Sequence, residues 1–127
     1  MIKQVIESVI GHFSDAYMDM LADISCRKTF EKGVFPLKQG EYCRYLWFIE
    51  EGAVKAYETT DEGDRVIYFY VANSFFSNYY CWVTGDTSDI SFQTVEPCTV
   101  LEIDHAQLEE LCTKHHIFDT IGRKIAE

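Results

Sequence analysis

Apolar residues near the start of the chain recur every three or four positions. The first such stripe consists of Val5, Ile6, Val9, Ile10 and Phe13. Its spacing is that of one face of an amphipathic helix. A second stripe with Met18 and Leu21 follows Ser14 and Asp15, and short polar residues of this kind cap the first turn of a helix. The pattern therefore predicts two helices within residues 1–25, each with one face for packing.

From Cys26 onward, apolar and aromatic residues alternate with polar ones or form short runs. These runs cover residues 45–50, 53–59, 65–71, 90–95 and 99–103. The segment 61–64, Asp-Glu-Gly-Asp, predicts a hairpin because its glycine can adopt a positive φ. The turn at Glu96-Pro97-Cys98 predicts that the last two runs pair with each other. Short strands in close succession indicate an antiparallel, jelly-roll-like β-roll.

The segment between the two strand-rich regions, residues 73–89, begins with aromatic residues and ends with short polar ones. It predicts one helical turn followed by a loop. After the last strand, Asp104 can cap a further helix, and Gln107 stands where the partner residue of a capping box is found. Apolar residues then continue at helical spacing. A single, mainly β domain with flanking helices is therefore predicted, made of helices in residues 1–25, a β-roll in 26–103 and helices in 104–127.

Composition and charge narrow the function classes. Hydrophobic residues make up 47% of the chain, which is enough for a packed core. The net charge is −10 and no cluster of Lys and Arg offsets it, so this chain by itself should bind neither nucleic acid nor an anionic membrane surface. The longest apolar run is too short to cross a bilayer, and the N-terminus does not resemble a signal peptide. We therefore expect a cytoplasmic protein.

Cysteine and histidine positions give no indication of catalysis or of a metal. The five cysteines are odd in number and far apart in sequence, which favours scattered reduced thiols in the core over disulfides, a zinc site or an iron–sulfur cluster. A cupin-type metal site needs histidines within the roll, yet no His lies between positions 13 and 104. No nucleophile lies beside a base in a predicted pocket. We expect a protein that is not an enzyme and has no cofactor.

Several short motifs of the β region stand in a recognisable order. They are Gly33, Leu37, Gln39-Gly40-Glu41, Leu46-Trp47-Phe48-Ile49, Gly52-Ala53-Val54 and Tyr57. In this order and at this spacing they resemble the cyclic nucleotide-binding domain of Crp/Fnr-type transcription regulators, and the resemblance extends from about Met18 to the end of the chain. It implies a double-stranded β-helix, a ligand-sensing regulatory role, and a dimerisation helix that starts within residues 117–127.

The phosphate-binding cassette that this resemblance implies is altered here. The family usually has Gly-acidic-x-Phe-Gly-Glu at the head of a short helix and Arg-Ser/Thr-Ala on the next loop. Residues 73–78 match the first motif with Asn78 in place of Glu, and residues 88–90 match the second with Ser88 in place of Arg. Loss of a charge-assisted hydrogen bond to phosphate should cost at least about 2 kcal/mol. We expect an effector other than cAMP, and an ordinary cAMP- or cGMP-binding domain is the alternative.

The residues of this altered cassette form the predicted ligand pocket. They are Phe75, Phe76, Ser77, Asn78, Tyr79, Trp82, Ser88, Asp89 and Ile90. No Lys or Arg occurs between Val66 and Cys112, so an aromatic and acidic pocket would suit a neutral, aromatic or cationic small molecule. The aromatic residues could equally fill the roll and leave no pocket.

The apolar stripe of the terminal helix predicts the main protein contact. Phe118, Ile121 and Ile125 are expected to be exposed and to pair with the same residues of a second copy in a homodimer. DNA would be reached only through a domain that this chain does not include. A module that acts through dimerisation alone, without any ligand, is a further alternative.

Overall fold

The computed structural model describes residues 1–126, so residue 127, the end of the predicted C-terminal helical region, lies outside it. The helices are α1 Ile2–Ile10, α2 Asp15–Asp23, α3 Tyr79–Thr84, α4 His105–Lys114 and α5 His116–Ala126. The strands are β1 Ser25–Phe30, β2 Tyr45–Glu51, β3 Val54–Thr60, β4 Gly63–Tyr70, β5 Phe75–Phe76, β6 Ser91–Thr94 and β7 Cys98–Asp104. No helix within the described residues is long and apolar enough to cross a membrane.

The strands form two antiparallel sheets. One sheet has the order β1-β7-β2-β5 and the other has the order β4-β3-β6. The predicted hairpin is present between β3 and β4, where Thr60 pairs with Gly63. Two antiparallel sheets with helices packed on one of them form the predicted β-roll, so the fold class is confirmed.

The predicted pairing of the last two strands is wrong. β6 pairs with β3 in the three-stranded sheet, whereas β7 lies between β1 and β2 in the four-stranded sheet. The turn at 95–97 therefore carries the chain from one sheet to the other instead of closing a hairpin. Adjacent strands in a sequence usually pair, but in a roll the chain must change sheets so that both sheets cover one core.

Two apolar cores share the four-stranded sheet. The core inside the roll consists of Leu37, Trp47, Ile49, Val54, Ala56, Phe76, Phe92, Cys98 and Val100. The core beneath the helices consists of Ile2, Ile6, Phe13, Leu21, Leu46, Phe48, Ile103, Leu108, Phe118 and Ile121. Alternate residues of β2 enter the two cores, which explains why this strand reads as a continuous apolar run and not as an alternating one.

The predicted helix caps are present. The Ser14 hydroxyl accepts from the Tyr17 N–H at 3.3 Å, and Asp104 Oδ1 accepts from the Gln107 N–H at 2.9 Å. The N–H of Asp104 donates to the Ile24 carbonyl at 3.4 Å, so this cap also ties α4 to the end of α2. These short polar residues fix where α2 and α4 begin.

The expectation that the terminal helix exposes its apolar stripe is wrong. Phe118 and Ile121 are only 2% and 8% exposed, and Ile125 is partly buried against the same core. The Phe118 ring meets the rings of Phe13 and Tyr17 edge-on, at centroid distances of 6.0 and 5.8 Å. Helical spacing identifies a packing face, but it does not tell whether that face packs within the chain or on a partner.

The exposed apolar surface includes β4 instead. This strand is at the edge of the three-stranded sheet. Its large side chains are about half exposed, and they are Val66, Ile67, Tyr68 and Phe69, followed by Val71 just beyond the strand. An edge strand with free backbone groups and apolar side chains is prone to pair with another chain.

Candidate functional site

The two halves of the altered cassette are hydrogen-bonded to each other. Asn78 occupies the N-cap position of α3 without a capping hydrogen bond from its side chain, and it is buried, with 6% of its surface exposed. Its amide nitrogen Nδ2 donates to Ser88 Oγ and to Asp89 Oδ1, both at 3.0 Å. Ser88 Oγ in turn donates to the Ile90 carbonyl at 2.6 Å. The Asn78 amide nitrogen and the Ser88 hydroxyl are therefore hydrogen-bonded within the protein.

The backbone of Ser88 is also tied to the turn before β2. The Gly40 N–H donates to the Ser88 carbonyl, and the Ser88 N–H donates to the Glu41 carbonyl, both at 2.8 Å. The side chain of Ser88 is only 2% exposed. Ser88 thus joins the cassette loop to the Gln39-Gly40-Glu41 turn, and its role in this structure is structural.

The cassette itself carries negative charge and contains no Lys or Arg. Asp89 is exposed beside Asn78, and no Lys or Arg occurs in the chain between Val66 and Cys112. A separate open cleft of about 370 Å³ lies next to the same turn, and its lining includes Glu41 and the exposed Arg44. Sequence reasoning missed Arg44 because it precedes β2, far from the cassette in sequence.

The predicted aromatic pocket residues separate into two layers. Phe76 lies inside the roll, with its ring 5.1 Å from each of the rings of Trp47 and Phe92. Phe75 points to the helical core and packs on Phe48 at 4.8 Å. Successive residues of β5 therefore enter different cores, as the alternation of a strand requires. Phe76 fills the roll, as one of the two interpretations of the sequence predicted.

A cavity remains between the roll and the C-terminal helices. Its volume is about 170 Å³, and it is lined by Leu46, Tyr70, Phe75, Phe76, Ser77, Tyr79, Trp82, Leu108, Gly122 and Ile125. Five predicted pocket residues and Ile125 of the predicted interface meet here, whereas Asn78, Ser88, Asp89 and Ile90 are not part of the lining. Nothing in the sequence indicated that Leu108 of α4 contributes to this lining.

Trp82 lies at the centre of this region. It also lines an adjoining cavity of about 350 Å³, together with His105, Cys112 and Arg123. The indole ring stacks on the His105 imidazole, with ring centroids 4.2 Å apart and planes 17° apart. The indole Nε1 atom is buried and has no hydrogen-bond partner among the described residues. A buried donor without a partner is rare in native proteins.

Burial lowers the pKa of His105 below its usual value of 6.5, and the nearby carboxylates of Glu109 and Asp104 oppose this shift. The unfolded chain therefore binds a proton at this site before the folded chain does. As pH falls below about 6.5, this imidazole should lower the free energy of unfolding. We expect wild type to lose stability relative to His105→Gln in urea unfolding from neutral pH to pH 5. Because the His105→Gln variant keeps all the carboxylates, their pH dependence is the same in both proteins and drops out of the comparison. A stability difference that stays constant from neutral pH to pH 5 would contradict the prediction.

The cysteines do not assemble a metal site. Within residues 1–126 no three His, Cys, Asp or Glu side chains are grouped as a metal ion would require. Cys81 and Cys98 are buried, Cys43 and Cys112 are half-buried, and Cys26 is exposed. Burial raises the pKa of the Cys81, Cys98 and Cys112 thiols, which keeps them protonated and unreactive.

The β-roll is interrupted by the short helix α3 and closed by α4 and α5. The model of the cyclic nucleotide-binding domain family matches residues 27–115 of this chain. The chain belongs to that family, and the predicted membership is confirmed.

One relative indicates the kind of protein in which the domain occurs. The fumarate and nitrate reduction regulatory protein of Vibrio cholerae serotype O1 is 30% identical over 103 residues, which cover 80% of this chain and 40% of that protein. The chain thus matches two fifths of the length of this curated relative. The match supports the Crp/Fnr resemblance predicted from the sequence.

Solved structures with low sequence identity share the fold. A cyclic nucleotide-binding domain from Methylobacillus flagellatus has a TM-score of 0.85 at 16% identity, and the match covers 98% of this chain and 71% of that one. The sensor domain of the regulator DNR from Pseudomonas aeruginosa has a TM-score of 0.76 at 15% identity, covering 94% and 86%. The regulatory domain of Toxoplasma gondii PKA, crystallised with cAMP, has a TM-score of 0.78 at 17% identity, covering 99% and 49%.

Proposed function

We propose that this chain is the ligand-sensing domain of a Crp/Fnr-like transcription regulator and that its effector is not cAMP. One observation supports the claim that the effector is not cAMP. Asn78 and Ser88, at the positions where the family places its Glu and Arg, are uncharged and bond to each other. The match to a Vibrio cholerae regulatory protein supports the first part.

The energetics of an anion at this cassette are unfavourable. A cyclic phosphate would find no guanidinium from the cassette loop and would lie near the Asp89 carboxylate, which is held by Asn78 at 3.0 Å. Loss of one charge-assisted hydrogen bond costs at least about 2 kcal/mol, or about 30-fold in Kd. Entry of the phosphate would also break the hydrogen bond between Asn78 and Ser88.

We place the effector in the 170 Å³ cavity between the roll and α5. A molecule there would touch Trp82 on α3 and Gly122 and Ile125 on α5 at the same time. If such a molecule binds one arrangement of α3 and α5 better than another, it shifts the equilibrium toward that arrangement. A shift of α5 would then be passed on to a DNA-binding domain in the complete regulator. No catalytic step is needed for this function.

The homodimer remains a prediction, and its interface needs a new assignment. Phe118 and Ile121 are committed to the core of their own chain. The exposed apolar residues of β4, from Val66 to Phe69, offer surface that no described residue covers. The alternative of a ligand-free dimerisation module would leave the cavity without a role.

Calorimetric titration of this chain with cAMP and with cGMP tests the proposal. We expect no saturable heat up to millimolar nucleotide, because the cassette supplies no cation. The regulatory domain of Toxoplasma gondii PKA, which was crystallised with cAMP, serves as the positive control under the same conditions.

Binding in the micromolar range would contradict the proposed effector class. In that case the Arg44→Ala variant tests one source of the affinity, because Arg44 lines the same cleft as Glu41 of the turn that holds Ser88. A large loss of affinity in this variant would identify an ordinary nucleotide sensor whose cation comes from before β2.

A further inference from the structure

The exposed apolar side chains of this protein are concentrated in a stretch without charges. Residues 66–85 contain no Asp, Glu, Lys or Arg, although the chain has a net charge of −10. Most of its exposed large hydrophobic residues belong to this stretch, and they are Val66, Ile67, Tyr68, Phe69, Val71, Tyr79, Tyr80 and Val83. Two copies of the chain repel each other wherever both surfaces are acidic. A second copy therefore meets the least repulsion at this uncharged surface.

Within this stretch, β4 is exposed on both of its faces. Successive side chains of a strand point to opposite faces, yet Val66, Ile67, Tyr68 and Phe69 are each 46–59% exposed. A bulge at Ile67 shifts the register with β3, and the pairing is regular from Tyr68 onward. The run from Val66 to Val71 is continuously apolar or aromatic, as is typical of a strand that is covered on both faces. β4 thus has the sequence of an inner strand but the position of an edge strand.

The other strand edges of the two sheets are protected. β1 carries Arg27 and Lys28, and charged side chains oppose pairing with a further strand. β5 has only two residues. The outer edge of β6 is covered by the chain itself, because the Thr94 N–H donates to the Val34 carbonyl and the Thr94 carbonyl accepts from the Gly33 N–H, both at 2.9 Å. In the part of the chain that the structure describes, β4 is therefore the one long strand with an open apolar edge.

The charged residues of β4 lie at its hairpin end and are already bonded to β3. Arg65 forms an ion pair with Glu58, and Asp64 Oδ1 accepts from the Thr59 hydroxyl at 2.8 Å. Charges that are paired within the hairpin protect an edge less than a free Lys does. The rest of β4 has no charge that would keep a second strand away.

The exposed area of β4 suits a weak dimer. Its large side chains from Val66 to Phe69, together with Val71, are about half exposed and present roughly 400–500 Å² per copy. Contact between two copies would bury roughly 800–1,000 Å² in total, which is in the range of transient interfaces and below that of most stable ones. Hydrogen bonds between the paired backbones would add to the apolar contact.

We propose that two copies of this chain pair antiparallel through the open edges of their β4 strands and join their three-stranded sheets across a two-fold axis. This proposal rests on the proposed function, because it names the interface of the homodimer predicted there. The two-fold pairing uses both open edges, so assembly stops at two copies. Tyr70 of β4 also lines the 170 Å³ cavity, and the interface therefore adjoins the proposed effector site.

Sedimentation velocity of the wild-type chain across micromolar concentrations tests the dimer. We expect a reversible equilibrium between monomer and dimer with a Kd in the micromolar range. Because each copy has a net charge of −10 and the interface is apolar, added NaCl should screen the repulsion and lower the Kd. A Kd that rises with NaCl would indicate an ionic interface and contradict the proposal.

Tyr68→Lys is the variant that tests the edge. Tyr68 is 59% exposed, and a Lys in β4 would place like charges close together across the two-fold axis. We expect the Kd of the dimer to rise at least about tenfold. Tyr42→Lys is the matched control, because Tyr42 is 63% exposed outside β4 and the change in net charge is the same. Equal effects of the two variants would overturn the interface.

Hydrogen exchange at low and high protein concentration locates the contact. We expect the amides of residues 66–71 to be protected only in the dimer, whereas those of β1, the charged edge strand, should exchange equally at both concentrations. Protection that appears elsewhere but not at residues 66–71 would refute pairing through β4 and leave the homodimer standing with a different interface.

A wild-type chain that stays monomeric at millimolar concentration and high salt would refute both the β4 interface and the homodimer of this chain. The effector proposal does not depend on that result, because the nucleotide titration tests it separately.

Discussion

Replacement of Phe118 by Ala is expected to lower the free energy of unfolding by about 3–5 kcal/mol, the usual cost of removing a buried phenyl ring. Phe118 is 2% exposed, and its ring meets those of Phe13 and Tyr17. Neither α1 nor α2 can easily move into the space, because both also pack against the four-stranded sheet through Ile6 and Leu21. Urea unfolding followed by circular dichroism measures the loss.

Phe69→Ala is the matched control, because it makes the same chemical change on the exposed surface of β4. Phe69 is 56% exposed, so the expected loss is at most about 1 kcal/mol. Sedimentation of both variants shows whether the apolar stripe of α5 belongs to the core of its own chain or to a dimer interface. If Phe118→Ala leaves the unfolding curve unchanged but weakens self-association, the stripe is an interface after all, and its assignment to the core is wrong.

Gly52→Ala is expected to be the most disruptive small substitution in the roll. Gly52 has a φ of +104°, and a Cβ atom there would lie 2.5 Å from Cys98 Sγ and 2.6 Å from the Pro97 carbonyl oxygen. The positive φ costs on the order of 1–3 kcal/mol for a residue with a Cβ. The overlap adds roughly 1–3 kcal/mol or more, because a backbone carbonyl cannot turn aside as a flexible side chain can.

Gly63→Ala is the control that measures the backbone strain alone. Gly63 has a similar φ of +114°, yet no atom lies within 4 Å of the position that its Cβ would take. We expect Gly63→Ala to cost only the backbone strain, so the difference between the two variants in urea unfolding measures the close approach at Gly52. Equal losses would show that the chain relaxes at this corner.

This corner matters because two of the chain's changes of sheet meet there. The chain leaves the four-stranded sheet between β2 and β3 and enters it again between β6 and β7, and Gly52 and Pro97 belong to these two crossings. The Val95 N–H donates to the Ala53 carbonyl at 3.0 Å, which joins the crossings to each other. A side chain on Gly52 would separate them and with them the two sheets.

The local elements and the fold class follow from the sequence. Helical spacing predicts α1, Ser14 and Asp104 predict the starts of α2 and α4, and a glycine in the 61–64 turn predicts the β3–β4 hairpin. Each of these features depends on residues that lie a few positions apart in the sequence, through side-chain periodicity or through turn and capping chemistry. The order of the glycine-containing motifs along the roll indicated the family, because each tight corner needs its own backbone conformation.

The tertiary structure alone decided which surfaces meet. Phe118 and Ile121 form a stripe that looks the same whether α1 or a second copy covers it, and only the packing of α1 and α2 assigns it to the core. In the same way, the sequence predicts that β6 and β7 are strands, but it does not predict their partners. The partners depend on the sheet that the chain enters before and after the 95–97 turn. The cavity at Trp82 arises from α3, α4 and α5 together, across more than 40 residues of chain. Residue spacing encodes the neighbours within one element, whereas contacts between distant elements arise only when the whole core closes.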